Sequence, residues 1–409
     1  MSHNGHSEST NGTSAPVMER PAANESACEP AVLERYAAGA AAVEPALCCP
    51  TDGYDPQYLK ILPREILEKD YGCGDPSRHV SEGETVLDLG SGAGKICYIL
   101  AQKVGAGGHV IGLDFNDAML ELARNYEDEM AEKIGHRNFE FHKARIQDMA
   151  LDLDRAQRYL DENPVTTIEE MGRFQAHCTE LRRQQPLIKD GSIDAIVSNC
   201  VLNLVSTQEK GALFKEMFRV LKRGGRAVIS DIVCDEDPTP SILADPDLWS
   251  GCISGAFRED RFLEMFEEAG FHGIEILSRG AEPWHTIDGV EFRAMTVRAY
   301  KGKQGPCLER NQAVVYRGPW KQVCDDDGHV YHRGQRMAVC DKTYHLLTDK
   351  SSPYAADVIG IEPADPVPLE EAEPFDCNTP AIRSAQSLKG GRHEAASNAD
   401  ACTPDSGCC

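Results

Sequence analysis

VLDLGSGAGK, residues 86–95, decides how the rest of the chain is read. Val86, Leu87 and Leu89 make a short apolar run, interrupted by Asp88, that ends in alternating glycines at 90, 92 and 94. A strand buried in a parallel sheet reads as such a run. Alternate glycines let the backbone turn tightly and approach a ligand where any side chain would collide. The spacing is not the G-x-G-x-x-G of dinucleotide-binding loops, and the G-K-[ST] ending of a nucleotide-phosphate loop is missing. Twenty residues after Gly94, Asp114 closes the next apolar run, HVIGLDF. An acid that hydrogen-bonds ribose hydroxyls belongs at that point.

Outward from this loop, strand-like runs alternate with amphipathic stretches. KICYILAQKVG and DAMLELARNYEDEMAEKIG read as helices, and FEFHKARI and SIDAIVSNCVLNLV as strands. QEKGALFKEMFRVLKRGG reads as a helix stopped by glycine, RAVISDIV as a strand and EDRFLEMFEEAGF as a helix. The following stretch, from GIEILSRG to EFRAMTVRAYK, reads as two antiparallel strands. Such alternation predicts an α/β fold with a mostly parallel sheet covered on both faces and an antiparallel last strand. A polar span at about 151–190 is too long for a plain loop and predicts an inserted helical pair. Residues 303–361 predict a small C-terminal α+β unit. Residues 1–45 and the acidic, then Ser/Ala-rich stretch 362–409 lack a sustained period and are expected to be disordered. The main domain is expected to span 46–302.

Composition narrows the function classes. The formal charge of -24 over 409 residues repels phosphate backbones and anionic lipid surfaces, so neither nucleic acid nor membrane is an expected partner. No run approaches the ~18 apolar residues of a membrane span. The opening MSHNGHSESTNGTSAP has neither the basic start nor the apolar run of a secretory leader. A cytoplasmic, monomeric protein is the expectation. Sixteen cysteines are then unusual, because thiols in a reducing compartment more often bind metals or do chemistry than form disulfides. Some, such as Cys97, Cys178 and Cys234, read simply as small buried hydrophobes.

Asp88, the Gly90–Gly92–Gly94 loop and Asp114 together resemble the S-adenosylmethionine site of class I, Rossmann-like methyltransferases. The resemblance implies that the loop faces the methionine part of the cofactor and that Asp114 holds the ribose. Asn116 and the Ile146–Gln147 stretch would flank the adenine. Alternatively, Gln147 and Asp148 only cap the next helix. Tyr71 reads either as an aromatic face near the sulfonium or as core.

Ligands of an open parallel sheet sit outside the carboxyl ends of its strands. Cys200, in VSNCVLNLV, lies at the end of the fourth strand. Cys73, in DYGCG, leads into the first, and Cys252, in LWSGCISGA, lies beyond the fifth. The topology is expected to bring these three thiols together. Three thiolates suit a soft ion. The C-x-x-C spacing of structural zinc sites is missing. Trivalent arsenic accepts three sulfurs and keeps a nucleophilic lone pair.

In wording and order, these motifs resemble the arsenite methyltransferases, from about Leu47 to the Tyr344 region, and the resemblance extends to the vicinal Cys408 and Cys409. It implies that Cys73, Cys200 and Cys252 bind the arsenic and that a fourth cysteine, at Cys48 or Cys49, joins a disulfide relay. Gly251 departs from the family, where many members carry glutamate. The expected reaction is methyl transfer from S-adenosylmethionine to arsenite and to methylated arsenicals, serving detoxification, with thioredoxin or glutathione as reductant. The alternatives are a class I methyltransferase for another small molecule and a non-enzymatic, cysteine-rich metalloid-binding protein.

Overall fold

The computed structural model describes residues 28–44, 53–69 and 71–389. Cys48, Cys49, Cys402, Cys408 and Cys409 lie outside the described residues. A nine-stranded sheet organises the larger part of the molecule. Its parallel core is β1 (Thr85–Leu89), β2 (His109–Asp114), β3 (Phe139–Lys143), β4 (Ile193–Asn199) and β5 (Leu221–Cys234). The short β6 (Phe257–Arg258) pairs with the end of β5. Then come β7 (His272–Arg279), β8 (His285–Ile287) and β9 (Val290–Tyr300). The order is β3-β2-β1-β4-β5-β9-β7, and β9 runs antiparallel to both neighbours. The chain therefore has the class I methyltransferase architecture, with its antiparallel final strand, that the alternation predicts.

Helices cover both faces because the strands are apolar on both. Val86, Leu87 and Leu89 of β1 are fully buried. Leu87 and Leu89 join one core with Phe214, Phe262 and Phe266, while Val86 joins another with Tyr98, Leu100 and Phe139. The order reverses between β1 and β4, the position where open α/β sheets leave a crevice above the strand ends.

The polar span folds as a helical pair, Leu153–Glu162 and Ile168–Gln184. Asp152 caps the first helix, and Thr167 with Glu170 forms a capping box on the second. Leu151, Ala156, Cys178 and Leu181 form its small core.

The C-terminal unit contains β10 (Ala313–Tyr316), β11 (Gln322–Cys324), β12 (Val330–His332), β13 (Arg336–Ala338) and β14 (Val358–Ile361), with a helix at Asp341–Thr348. β10 is the centre of an antiparallel sheet between β13 and β14.

Four expectations need correction. Residues 28–41, expected to be disordered, form a helix, because Val32, Leu33, Tyr36 and Ala40 find an apolar surface to cover. The fourth strand stops at Asn199, where Cys200 takes a left-handed φ of 60°, and Leu202–Leu204 coil as a 3₁₀ turn. The helix before β5 ends at Val220, and Leu221–Gly225 extend the strand. Residues 362–389, also expected to be disordered, run back over the C-terminal unit. There Leu308 bridges Pro374, Met337 bridges Ile382, and a short helix forms at Ala385–Lys389.

Candidate active site

Above the carboxyl ends of β1, β2 and β4 lies a cavity of about 180 Å³, far beyond the ~10–15 Å³ a single water needs. The glycine loop forms one wall. Gly90 holds φ 69°, and a β-carbon there would come within 2.5 Å of both Val201 methyls. Only glycine fits that turn. Gly90 and Gly92 face the cavity, whereas Gly94 caps the helix Lys95–Val104 with a φ of 87° and does not line it.

The acids flank the loop. Asp88 is buried and accepts a hydrogen bond from the Cys97 thiol at 3.2 Å. Asp114 accepts from the Gly92 N–H at 2.8 Å through one oxygen and from the Asn116 N–H at 2.8 Å through the other. Burial raises its pKa from the ordinary value, against the pull of those N–H groups. Each oxygen keeps a lone pair for a ligand hydroxyl.

Asn116, Ile146 and Gln147 also line the cavity. The Asn116 amide, however, is committed: it caps the helix Asp117–Asn125 and donates to the Leu33 carbonyl at 2.9 Å. Gln147 donates to Glu209 at 3.2 Å, and Asp148 pairs with Arg182 at 2.8 Å. Neither caps the next helix, because Asp152 does so.

The three cysteines converge beside this cavity. Cys73 and Cys200 are joined by a disulfide across 127 residues of sequence, and Cys252, not disulfide-bonded, donates from Sγ to the Cys200 carbonyl at 3.1 Å. Cys200 and Cys252 both adopt left-handed backbone, φ 60° and 63°. For a non-glycine residue this costs on the order of 1–3 kcal/mol, and it persists only where the surroundings impose it.

Two asparagines hold the backbone around Cys73 and Cys252. Asn199 accepts from the Cys73 and Gly74 N–H groups at 2.8 and 3.1 Å, and donates to the Gly74 carbonyl at 2.8 Å. Asn203 donates to the carbonyls of Ile232 and Cys252 at 2.7 and 3.1 Å. One stretch, SNCVLN, thus carries one cysteine and holds the backbone at the other two. A small cavity lined by Tyr36, Tyr71, Cys200, Cys252 and Trp284 adjoins them.

Comparison with known proteins identifies the family. A methyltransferase-domain model matches residues 80–174 and 170–270, and a domain of unknown function matches 303–393. An arsenite methyltransferase of Aquipseudomonas alcaligenes is 30% identical over 320 residues, covering 74% of this chain and 81% of that protein. The chain belongs to the arsenite methyltransferase family. The mouse arsenite methyltransferase is 28% identical over 322 residues, covering 76% of this chain and 75% of its own. The crystal structure of an arsenic(III) S-adenosylmethionine methyltransferase from Chlamydomonas reinhardtii superposes with a TM-score of 0.50 at 27% identity, covering 82% of this chain and all of that one.

In this arsenite methyltransferase family member, the helix Cys28–Ala41 contributes residues that sequence reading missed. Val32, Leu33 and Tyr36 form part of the cavity wall. Tyr36 places its hydroxyl 3.9 Å from the Cys252 sulfur, and burial beside that thiol pushes the phenol pKa well above its ordinary value. The helix is tied down at its start and at its middle. Glu29 pairs in two-pronged fashion with Arg145, whose guanidinium lies 4.4 Å over Phe115. Arg35 donates to the Asp247 carbonyl and to Ser250. Tyr71 is enlisted too: its hydroxyl donates to the Gly39 carbonyl at 3.1 Å and accepts from the Glu44 N–H at 3.0 Å, while its ring lines both cavities. The available signal was Val32, Tyr36 and Ala40, apolar at helical spacing. Among the described residues no helix is long and apolar enough to cross a membrane.

Proposed function

We propose that this chain transfers the methyl group of S-adenosylmethionine to trivalent arsenic held by the thiolates of Cys73, Cys200 and Cys252. One observation carries the reading: three cysteines from three separate segments come together beside the larger cavity, with Cys200 in its wall, bonded to Cys73 and accepting through its carbonyl from the Cys252 thiol.

The residues of the larger cavity fit the cofactor. Gly90 and Gly92 allow close backbone approach, and Asp114 offers lone pairs to ribose hydroxyls. The wall made by Val32, Leu33 and Tyr36 keeps water away. When bound there, S-adenosylmethionine supplies an electrophilic methyl on a sulfonium.

The substrate is written with its atoms balanced. Arsenous acid loses three hydroxyls as water, each taking a thiol proton, as three As–S bonds form. The arsenic lone pair is then the nucleophile, and no base is required. Accordingly, the large acid shifts in this region sit on groups that hold backbone: Asp231, pushed up to about 6 by burial, accepts from the Leu202 and Ile232 N–H groups. Positioning is the chain's main contribution, and good alignment is worth several kcal/mol, on the scale of effective molarities of about 10⁵ M.

Methylation oxidises arsenic by two electrons, and joining two ligating thiolates as a disulfide returns them. Cys73 and Cys200 are such a pair. Their bonded state cannot ligate arsenic until a dithiol such as thioredoxin, or glutathione, reduces it by exchange. Cys48 or Cys49 would serve as relay. We read the enzyme as a cytoplasmic, monomeric agent of arsenic detoxification, whose catalytic domain runs to about 302 and includes the helix Cys28–Ala41.

The test is arsenic speciation after incubation with S-adenosylmethionine, arsenite and thioredoxin. Methylated arsenic from wild type and a loss of at least ~100-fold in Cys252→Ser is expected. A folded, cofactor-binding wild type that methylates no arsenic would shift the reading to another small-molecule acceptor.

A further inference from the structure

A second group of three thiols lies in the C-terminal unit, far along the chain from the first. The sulfurs of Cys307, Cys340 and Cys377 lie within 4.8 Å of one another. They come from three segments separated by more than 30 residues each. Main-chain hydrogen bonds stitch those segments together: Phe375 donates to the Cys307 carbonyl at 2.9 Å, Asp341 to the Leu308 carbonyl at 2.9 Å, and Glu309 to the Glu373 carbonyl at 2.8 Å. The triangle is therefore built into the fold.

Cys340 is fully buried at the N-terminus of the helix Asp341–Thr348, and its sulfur accepts from the Thr343 N–H at 3.4 Å. None of the three is disulfide-bonded. Cys340 and Cys377 open onto a cavity of about 120 Å³, so a small ion has a way in.

Three sulfurs at this spacing suit a soft ion and suit magnesium or calcium badly. A structural zinc site completes a tetrahedron with a fourth protein ligand. His329 lines the same cavity but is not part of the triangle, and its Nδ1 is paired with Asp325 at 2.9 Å. Trivalent arsenic needs only the three.

We infer that Cys307, Cys340 and Cys377 form a second arsenic(III) site, distinct from the methylation site, in which one arsenic is bound through three sulfurs. Binding releases three waters from arsenous acid as three As–S bonds replace three As–O bonds. The bound ion ties together residues around 307, 340 and 377 and so stabilises this unit. The identity of the ion rests on the proposed function; the thiol triad does not.

The experiment uses the full chain, reduced, in a Cys73→Ser/Cys200→Ser/Cys252→Ser background that removes the proposed methylation site. After exposure to arsenite and desalting, arsenic and zinc per chain are counted by mass spectrometry, and the arsenic shell is read by X-ray absorption. The expected result is arsenic with three sulfur neighbours, falling by one equivalent per chain when Cys340→Ser or the less buried Cys377→Ser is added. S-adenosylmethionine binding by calorimetry verifies that each variant is folded. Equal arsenic content with and without Cys340 and Cys377 overturns the inference. So does one zinc per chain that Cys340→Ser loses and arsenite does not displace. Failure of the methylation-site reading shows separately, as equal arsenic content in wild type and the triple-serine background.

Discussion

Replacing Asn199 with alanine is expected to uncouple Cys73 from Cys200 without touching either thiol. Its carboxamide makes four hydrogen bonds: two accepted from the Cys73 and Gly74 N–H groups, and two donated, to the Gly74 carbonyl and the Tyr54 hydroxyl. A net hydrogen bond is worth roughly 0.5–1.5 kcal/mol, and an orphaned buried donor costs about 1–3. Water reaching the loosened loop recovers part of this, leaving about 2–3 kcal/mol of lost preorganisation. The same loss weakens the Cys73–Cys200 disulfide. At roughly 30 mV per 1.4 kcal/mol for a two-electron couple, its potential should rise by about 45–65 mV. The assay is equilibration in graded glutathione buffers, with the disulfide fraction read by mass spectrometry after alkylation. Arsenite methylation, measured alongside, should fall by about 30–150-fold in kcat/KM, since each 1.36 kcal/mol is a factor of ten. Asn199→Asp keeps the two accepting contacts and should lie between the two. A potential within about 10 mV of wild type, in a folded variant, would refute the idea that this side chain positions the cysteines.

Further outcomes follow from other contacts. Gly90→Ala should abolish S-adenosylmethionine binding in calorimetry, because the φ of 69° is strained for alanine and its β-carbon meets Val201 at 2.5 Å. Adding Val201→Ala should relieve the collision but not the strain, so only partial recovery is expected. Arg145→Ala removes the Glu29 pair that anchors the first helix; both side chains are a third or more exposed, so solvent screening limits the loss to ~1 kcal/mol. Cofactor affinity should weaken only about three- to ten-fold, and less at high salt. Burial raises Asp231 from its ordinary 3.8 to about 6. The folded state then holds a proton that the unfolded chain releases, so the contribution of Asp231 to stability is fully present below about pH 4 and is lost as pH rises to about 6. The decline is on the order of 3 kcal/mol at ~1.36 kcal/mol per unit. Asp231→Asn lacks this titration, so its melting temperature should gain on wild type across that window; a pH-independent difference would count against the shift.

The legible parts of this protein were those written locally. The run through Asp88 into glycines at 90, 92 and 94 and the acid at 114 identified the fold class and one wall of the larger cavity, because strand burial and tight turns act over a few residues. Boundaries were less legible. IDAIVSNCVLNLV is apolar enough to continue as a strand, yet Asn199 and Asn203 spend their amides on distant backbone, and Cys200 is bent left-handed between them. LKRGG reads as a helix stop, but Arg226 opposite Ala195 begins a continuous register with β4, and sheet pairing extends β5 back to Leu221.

By itself, the sequence determined the alternation of strands and helices, the glycine loop and its acid, and the presence of three cysteines, one of them directly after a strand. These follow from side-chain period and turn chemistry alone. Tertiary structure decided what the helix Cys28–Ala41 does: its few apolar side chains cannot order a tail unless the cavity rim is there to receive them. It also decided the Cys307–Cys340–Cys377 triangle. No local spacing links those residues, and only the hydrogen bonds between their backbones bring three sulfurs to one place.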